Sequence, residues 1–165
     1  SVEYSQPPVF KGTYRYRLDG KGRLPVPPPF RRGLAAEGAR RLVVTLLDEC
    51  LAAYAPAEWE RLEAQLVALP TFSKPVKGLT RLLASRAIDC DLDAQGRILL
   101  PPALRTAAGL AREATVIGVL NRFEVWSSER WAAFLESSER LLEDVSLGVE
   151  WPPAVSPRPQ GKPNR

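Results

Sequence analysis

An α+β fold with mainly β content, assembled from two tandem copies of one small unit, is the architecture this sequence predicts. Three observations carry it. The first is an internal duplication: Asp19, Gly22, Arg23, Pro27, Pro28 and Arg31 recur as Asp93, Gly96, Arg97, Pro101, Pro102 and Arg105, each pair separated by 74 positions. The second is the alternation of apolar or aromatic with polar residues just before each Asp-x-x-Gly-Arg, the pattern of a half-buried strand. The third is size. A unit of about 45 residues holding two hairpins has too little core to stand alone. Two units should therefore interleave their hairpins, and the chain makes internally what a single-unit protein must make as a dimer.

The elements follow in order. Tyr14–Leu18 and Ala87–Leu92 are the first strands of the two units. Asp19 and Asp93 then open turns, where an Asp side chain bonds forward to backbone N–H groups. Gly22 and Gly96 tolerate the positive φ that closes a hairpin. Second strands are expected over Arg23–Val26 and Arg97–Leu100. The prolines after them stop the sheet and open a short helix, because proline fits a first helical turn. Gly33 and Gly109 suit the helix exits. A further strand pair follows in each unit: Val43–Leu47 with Leu51–Tyr54, and Thr115–Leu120 with Phe123–Trp126. Each unit ends in an amphipathic helix. In the first, Trp59, Leu62, Leu66 and Leu69 share a face. In the second, Ser127 is the N-cap and Trp131, Phe134, Leu135, Leu141 and Leu142 form the apolar stripe. Tyr54, Trp59, Trp126 and Trp131 recur at matching repeat positions and read as core.

The expected organisation is a flexible arm over 1–9 and a first unit over 10–69. A linker over 70–78 leads through a short helix at Leu79–Ser85 into a second unit over 79–150. A disordered proline-rich tail covers 151–165.

Composition narrows the function. The chain has no histidine and two cysteines. Imidazole is therefore absent as base, shuttle or ligand, and a closed structural zinc site cannot be built from one chain. No phosphate loop, dinucleotide motif or catalytic triad is present. The expectation is a protein that is not an enzyme, with no cofactor, metal site or small-molecule substrate. No apolar run approaches the ~20 residues that span a bilayer, so no membrane partner is expected. Cys50 and Cys90 read as reduced core residues of a cytoplasmic protein. The net charge of +4 is unevenly placed. Lys11, Arg15, Arg17, Lys21, Arg23, Arg31 and Arg32 crowd one early segment against Asp19 alone, whereas Glu136–Glu150 leans acidic. That polarity fits an anionic partner docking on one side.

The candidate binding residues lie in and before the turns. A Lys and an Arg beside Gly can approach DNA closely: Arg holds phosphate or a guanine edge bidentately, and Lys supplies a point charge. Arg23 can do this, or it can pair with Asp19 inside its own turn. The same two alternatives stand for Arg97 and Asp93. Arg15 and Arg17 alternate with Tyr14, Tyr16 and Leu18, so both arginines share one strand face, either merely solvated or contacting phosphate. Asp89, Asp91 and Asp93 also share a face. Without histidine or a nucleophile they read as a solvated edge, or as partners for arginines of a neighbouring subunit.

Asp-x-Lys-Gly-Arg followed by an apolar strand and Pro, then Asp-x-x-Gly-Arg-Ile-Leu-x-Pro some seventy residues on, resembles the MraZ family. The helices at Trp59 and Trp131 and the run Val116–Trp126 strengthen the likeness, which covers roughly Phe10–Glu143. Val9-Phe10-Lys11-Gly12 stands where family members begin, which makes Ser1–Pro8 an upstream extension. The resemblance implies two AbrB-like swapped-hairpin units forming an intrachain pseudo-dimeric β-barrel with flanking helices. It implies a nucleoid-associated regulator that binds double-stranded DNA at direct repeats upstream of the division and cell-wall gene cluster, and that assembles into a homo-oligomeric ring. By the same likeness the DNA-contacting arginine is Arg23; Arg15, Arg17, Lys21 and Arg97 complete the expected DNA-binding set from their own positions in and before the turns. Two departures stand out: the second copy has Gln95 where the first has Lys21, so it is less basic, and Pro25 and Pro27–Pro29 make the first copy unusually proline-rich. The rival classes are an antitoxin-type interaction module of the same superfamily and a purely structural ring.

Overall fold

The computed structural model describes residues 7–70 and 72–141. Residues 1–6 of the expected arm, Leu142 and the expected tail lie outside them. The elements run β1 (Thr13–Arg17), β2 (Arg23–Pro25), α1 (Pro28–Ala36), β3 (Arg41–Leu47), β4 (Cys50–Tyr54), α2 (Pro56–Ala68), α3 (Lys74–Arg86), β5 (Ile88–Asp91), β6 (Arg97–Leu99), α4 (Pro102–Ala107), β7 (Glu113–Gly118), β8 (Phe123–Ser127) and α5 (Ser128–Ser138). The chain divides into two compact units, Ser1–Trp131 and Ala132–Arg165. The described strands all lie in the first. The described part of the second, residues 132–141, holds the remainder of α5, in which Ser137 Oγ donates to the Phe134 carbonyl at 3.0 Å.

Six strands form one antiparallel sheet in the order β1-β7-β8-β4-β3-β5, and β2 pairs with β6 in a separate two-stranded ladder. Exchanging the repeats (β1 for β5, β7 for β3, β8 for β4) leaves that order unchanged. Four ladders join strands of one repeat to strands of the other: β1 with β7, β5 with β3, β4 with β8, and β2 with β6; β3 with β4 and β7 with β8 are hairpins within one repeat.

Two expectations are corrected here. The sheet is open, with β1 and β5 as free edges, and is not a closed barrel. Nor do the strands around each Asp-x-x-Gly-Arg form a hairpin ladder. Asp19 N donates to the Arg23 carbonyl at 3.1 Å, and then β2 departs; Leu100 N donates to the Gly22 carbonyl and Val26 N to the Gly96 carbonyl, each at 3.0 Å. Proline explains the brevity of β2. Pro25 has no N–H to offer, and Pro27 and Pro28 end the strand after three residues, too soon to bridge the two sheet edges.

Smaller differences have similar causes. Helix α3 begins at Lys74, inside the expected linker, because Pro75 sits in its first turn where a missing N–H costs nothing. Gly33 lies within α1 rather than at its exit, and a Cβ there would stand 3.0 Å from Pro8 Cβ. The exit falls at Gly38 (φ +72°), as the second copy's falls at Gly109 (φ +66°). Ser127 caps α5, its Oγ accepting from Arg130 N at 3.0 Å.

The core sits between the sheet and the small ladder. Leu24 faces Ile98 across β2–β6, and both are fully buried. Phe30 of α1 packs its ring 5.0 Å from Phe10, 5.3 Å from Phe123 and 5.3 Å from Tyr14. On the outer face Tyr54 packs on Trp59 and Trp126 on Trp131, the same contact in each repeat. Cys50 and Cys90 are buried free thiols, and burial is the leading cause that raises both above the usual thiol range, Cys90 to about 11.

Candidate nucleic-acid interface

Each Asp-x-x-Gly-Arg turn is held by its own aspartate. Asp19 Oδ1 accepts from Lys21 N at 3.0 Å and from Arg23 N at 2.9 Å, while its backbone carbonyl accepts from Gly22 N at 3.0 Å. Its other oxygen, Oδ2, accepts from Arg23 Nε. The second turn repeats every bond. Asp93 Oδ1 accepts from Gln95 N and Arg97 N, and Oδ2 from Arg97 Nε, each at 2.9 Å. The turn pairing read as one alternative from the sequence is thus present in both copies. It engages Nε only; among the described residues neither terminal nitrogen of Arg23 makes a hydrogen bond. The Arg23 side chain keeps 34% of its exposure. It is neither buried nor turned wholly inward.

The hydrogen bonds set the charge state. The backbone N–H of Arg23 is the largest cause that lowers the Asp19 carboxyl from 3.8 to about 2, with the Arg23 side chain and Lys21 N–H adding to it. Asp93 is lowered by the same set of donors, led by the Arg97 N–H. Since the folded value lies below the unfolded one, the contribution to stability is complete above pH ~4 and is lost as pH falls toward 2. In a carbon-detected NMR titration, Asp19 should show its midpoint near 2. A midpoint near 4 would mean that the turn bonds do not persist in solution.

The ladder brings the two turns together. Arg23 lies opposite Leu99 and Arg97 opposite Pro25, one on each side of the Leu24–Ile98 pair. Arg97 Nη1 approaches Asp19 Oδ2 to 3.9 Å, so both turn arginines converge on one carboxylate. Two further arginines join them that were not among the expected site residues. A Cβ on Gly22 (φ +86°) would fall 2.6 Å from the Arg105 guanidinium carbon, and one on Gly96 (φ +73°) would meet the Arg31 guanidinium. Each glycine therefore serves twice, as a left-handed turn residue and as the surface on which the other repeat's arginine lies. Arg105 Nε donates to the Leu100 carbonyl at 3.0 Å. The equal spacing of Arg31 and Arg105 behind their turns was the signal that could have found them; which glycine each would cover was not in it.

Lys21 is exposed at the first turn, and exposed Gln95 takes its place in the second. Lys21, Arg23, Arg97, Arg31 and Arg105 thus stand against two carboxylates, Asp19 and Asp93, a local cationic excess suited to a polyanion. Arg15 and Arg17 are exposed as expected, but on β1, the free edge of the large sheet, and Arg17 reaches Glu113 at 3.5 Å.

Two consecutive stretches of the chain, residues 9–82 and 83–146, match the family described as "MraZ protein, putative antitoxin-like". The chain belongs to the MraZ family. The chain is 42% identical over 138 residues to a protein of Ligilactobacillus salivarius named transcriptional regulator MraZ, covering 84% of this chain and 94% of that protein. It is 39% identical over 142 residues to the transcriptional regulator MraZ of Halothermothrix orenii, covering 86% and 97%. The MraZ family is one of regulators and not of enzymes. Its two matched stretches meet within α3, between Leu82 and Leu83, a few residues before the second repeat's first strand. Among the described residues no helix is long and apolar enough to cross a membrane.

Proposed function

We propose that this chain is a sequence-specific DNA-binding regulator of transcription that acts in the cytoplasm, at the nucleoid. It acts on repeated sites upstream of the division and cell-wall gene cluster, and several copies, already assembled as a ring, are presented together to those repeats. The observation that carries the reading is the convergence of the two Asp-x-x-Gly-Arg turns, which sets Arg23 and Arg97 side by side with Lys21 at the exposed tip. The carboxylate of each turn holds the Nε edge of its arginine. The guanidinium is therefore oriented before DNA arrives, and less side-chain freedom is lost on binding. Its terminal nitrogens then take phosphate or a guanine edge, while Lys21 adds a point charge. Two β-strands side by side are a known way to enter a major groove. One such set per chain is modest, and copies on closely spaced repeats gain affinity by avidity.

Footprinting on the DNA upstream of the chain's own gene tests the reading. Protected, evenly spaced repeats are expected, with affinity falling steeply as salt rises. Absence of any protected repeat at low salt would defeat it. The antitoxin-like wording of the family description supports a second reading, in which the chain binds a small toxin. That reading predicts a co-purifying protein and no footprint.

A further inference from the structure

The two free edges of the large sheet carry opposite charge. The 74-position repeat spacing puts Asp89 where Arg15 stands and Asp91 where Arg17 stands. Arg15 and Arg17 lie on β1, one outer strand; Asp89 and Asp91 lie on β5, the other; and all four are exposed. The duplication is otherwise kept closely around the turns, so this inversion is a local feature of the edges.

The four side chains also share one face of the sheet. Arg15 lies opposite Thr115, and Thr115 opposite Trp126. Glu124, two residues from Trp126, lies opposite Ala52, and Ala52 opposite Thr45. Val43, two residues from Thr45, lies opposite Asp89. Residues two apart on a strand, or directly opposite across a ladder, share a face. Since all neighbouring strands are antiparallel, β1 and β5 run in opposite directions. A second copy laid beside the first without turning over would present its β1 antiparallel to the first copy's β5, with arginines and aspartates on the same side.

We propose that the free edge of β1 in one copy pairs with the free edge of β5 in the next, placing Arg15 opposite Asp91 and Arg17 opposite Asp89. This rests on the self-assembly in the reading above and names the surface that would carry it. The charge is available for it. Asp89 and Asp91 have no ion pair among the described residues, although Arg41 faces Asp91 in register. Arg17 has only its exposed contact with Glu113, which contributes little. Beside β5 runs a groove of about 630 Å³ whose lining includes Ile88, Leu99, Lys21 and Arg105. Ile88 and Leu99 are 41% and 55% exposed, an apolar strip that an added strand would cover. The pattern also discriminates. Pairing β1 with β1 opposes arginines, and β5 with β5 opposes aspartates, so only the head-to-tail match is favourable. A head-to-tail contact generates a ring or a filament, never a closed two-fold dimer. Arg15 and Arg17 thereby acquire a protein partner in place of the phosphate expected from the sequence, and Arg23 and Arg97 keep the DNA.

Charge exchange tests this with the full chain, by light scattering during size exclusion without DNA. Arg15→Asp with Arg17→Asp makes both edges acidic; Asp89→Arg with Asp91→Arg makes both basic. Each variant alone should run at the mass of a single chain, with an unchanged circular dichroism spectrum. An equimolar mixture should regain the wild-type assembly, since acidic and basic edges alternate around it. Either variant keeping the wild-type mass, a mixture that stays at single-chain mass, or a single-chain wild type would each overturn the proposal. The DNA reading is scored separately, by the footprint, so failure of one leaves the other standing.

Discussion

Arg23→Ala should abolish the footprint while leaving the melting temperature within about 3 °C of wild type. The guanidinium supplies charge-assisted contacts worth about 1–3 kcal/mol of base discrimination per chain. That is roughly 5- to 150-fold for one copy, and the losses multiply when several copies bind neighbouring repeats. The fold has little to lose. Asp19 still accepts from the backbone N–H groups of Lys21 and of residue 23, so the turn keeps its main bonds. Neither the Leu24–Ile98 pair nor the ladder depends on the guanidinium. Lys21→Ala should behave differently, weakening all sequences alike and reducing the salt dependence. Gel shifts on specific and scrambled DNA across a salt series separate the two. An undiminished footprint with Arg23→Ala would remove Arg23 from the interface.

Phe30→Ala should have the largest effect on stability, about 3–5 kcal/mol. Phe30 is 3% exposed. Its ring touches three other aromatics drawn from the segment before β1, from β1 itself and from β8 of the second repeat. Those partners are fixed by the sheet and cannot collapse into the vacated space, so the cavity term adds to the lost burial. At about 2–4 °C per kcal/mol for a domain of this size, the melting temperature should fall by about 6–20 °C. Denaturant titration with an unchanged m-value would assign the loss to stability alone. A change below about 1 kcal/mol would mean that the two repeats do not share this core. The variant should also bind DNA normally at low temperature, the reverse of the Arg23→Ala phenotype.

Much of this was legible in the residues because it depends on contacts close in sequence. The Asp19 and Asp93 turns, the prolines that open α1 and α4, the Ser127 cap and the paired aromatics at Tyr54–Trp59 and Trp126–Trp131 all act over a few positions, and each stands as read. Helix α3 began earlier than read because its first turn holds a proline, which resembles a linker residue as much as a helix start. The barrel was misread for a different reason. Whether β2 returns to β1 or pairs with β6 turns on competition between two ladders, and periodicity alone does not rank them.

What the sequence determined by itself is the repeat, the turn chemistry, the alternation along the strands and the family likeness. All of these are local patterns or their recurrence. Tertiary structure alone decided which repeat each strand pairs with, that the sheet stays open, that Arg105 lies on Gly22 and Arg31 on Gly96, and that the basic and acidic edges end up on one face. Those facts join residues tens of positions apart. The chain can close such contacts only once a shared core offsets the entropy of bringing its two halves together.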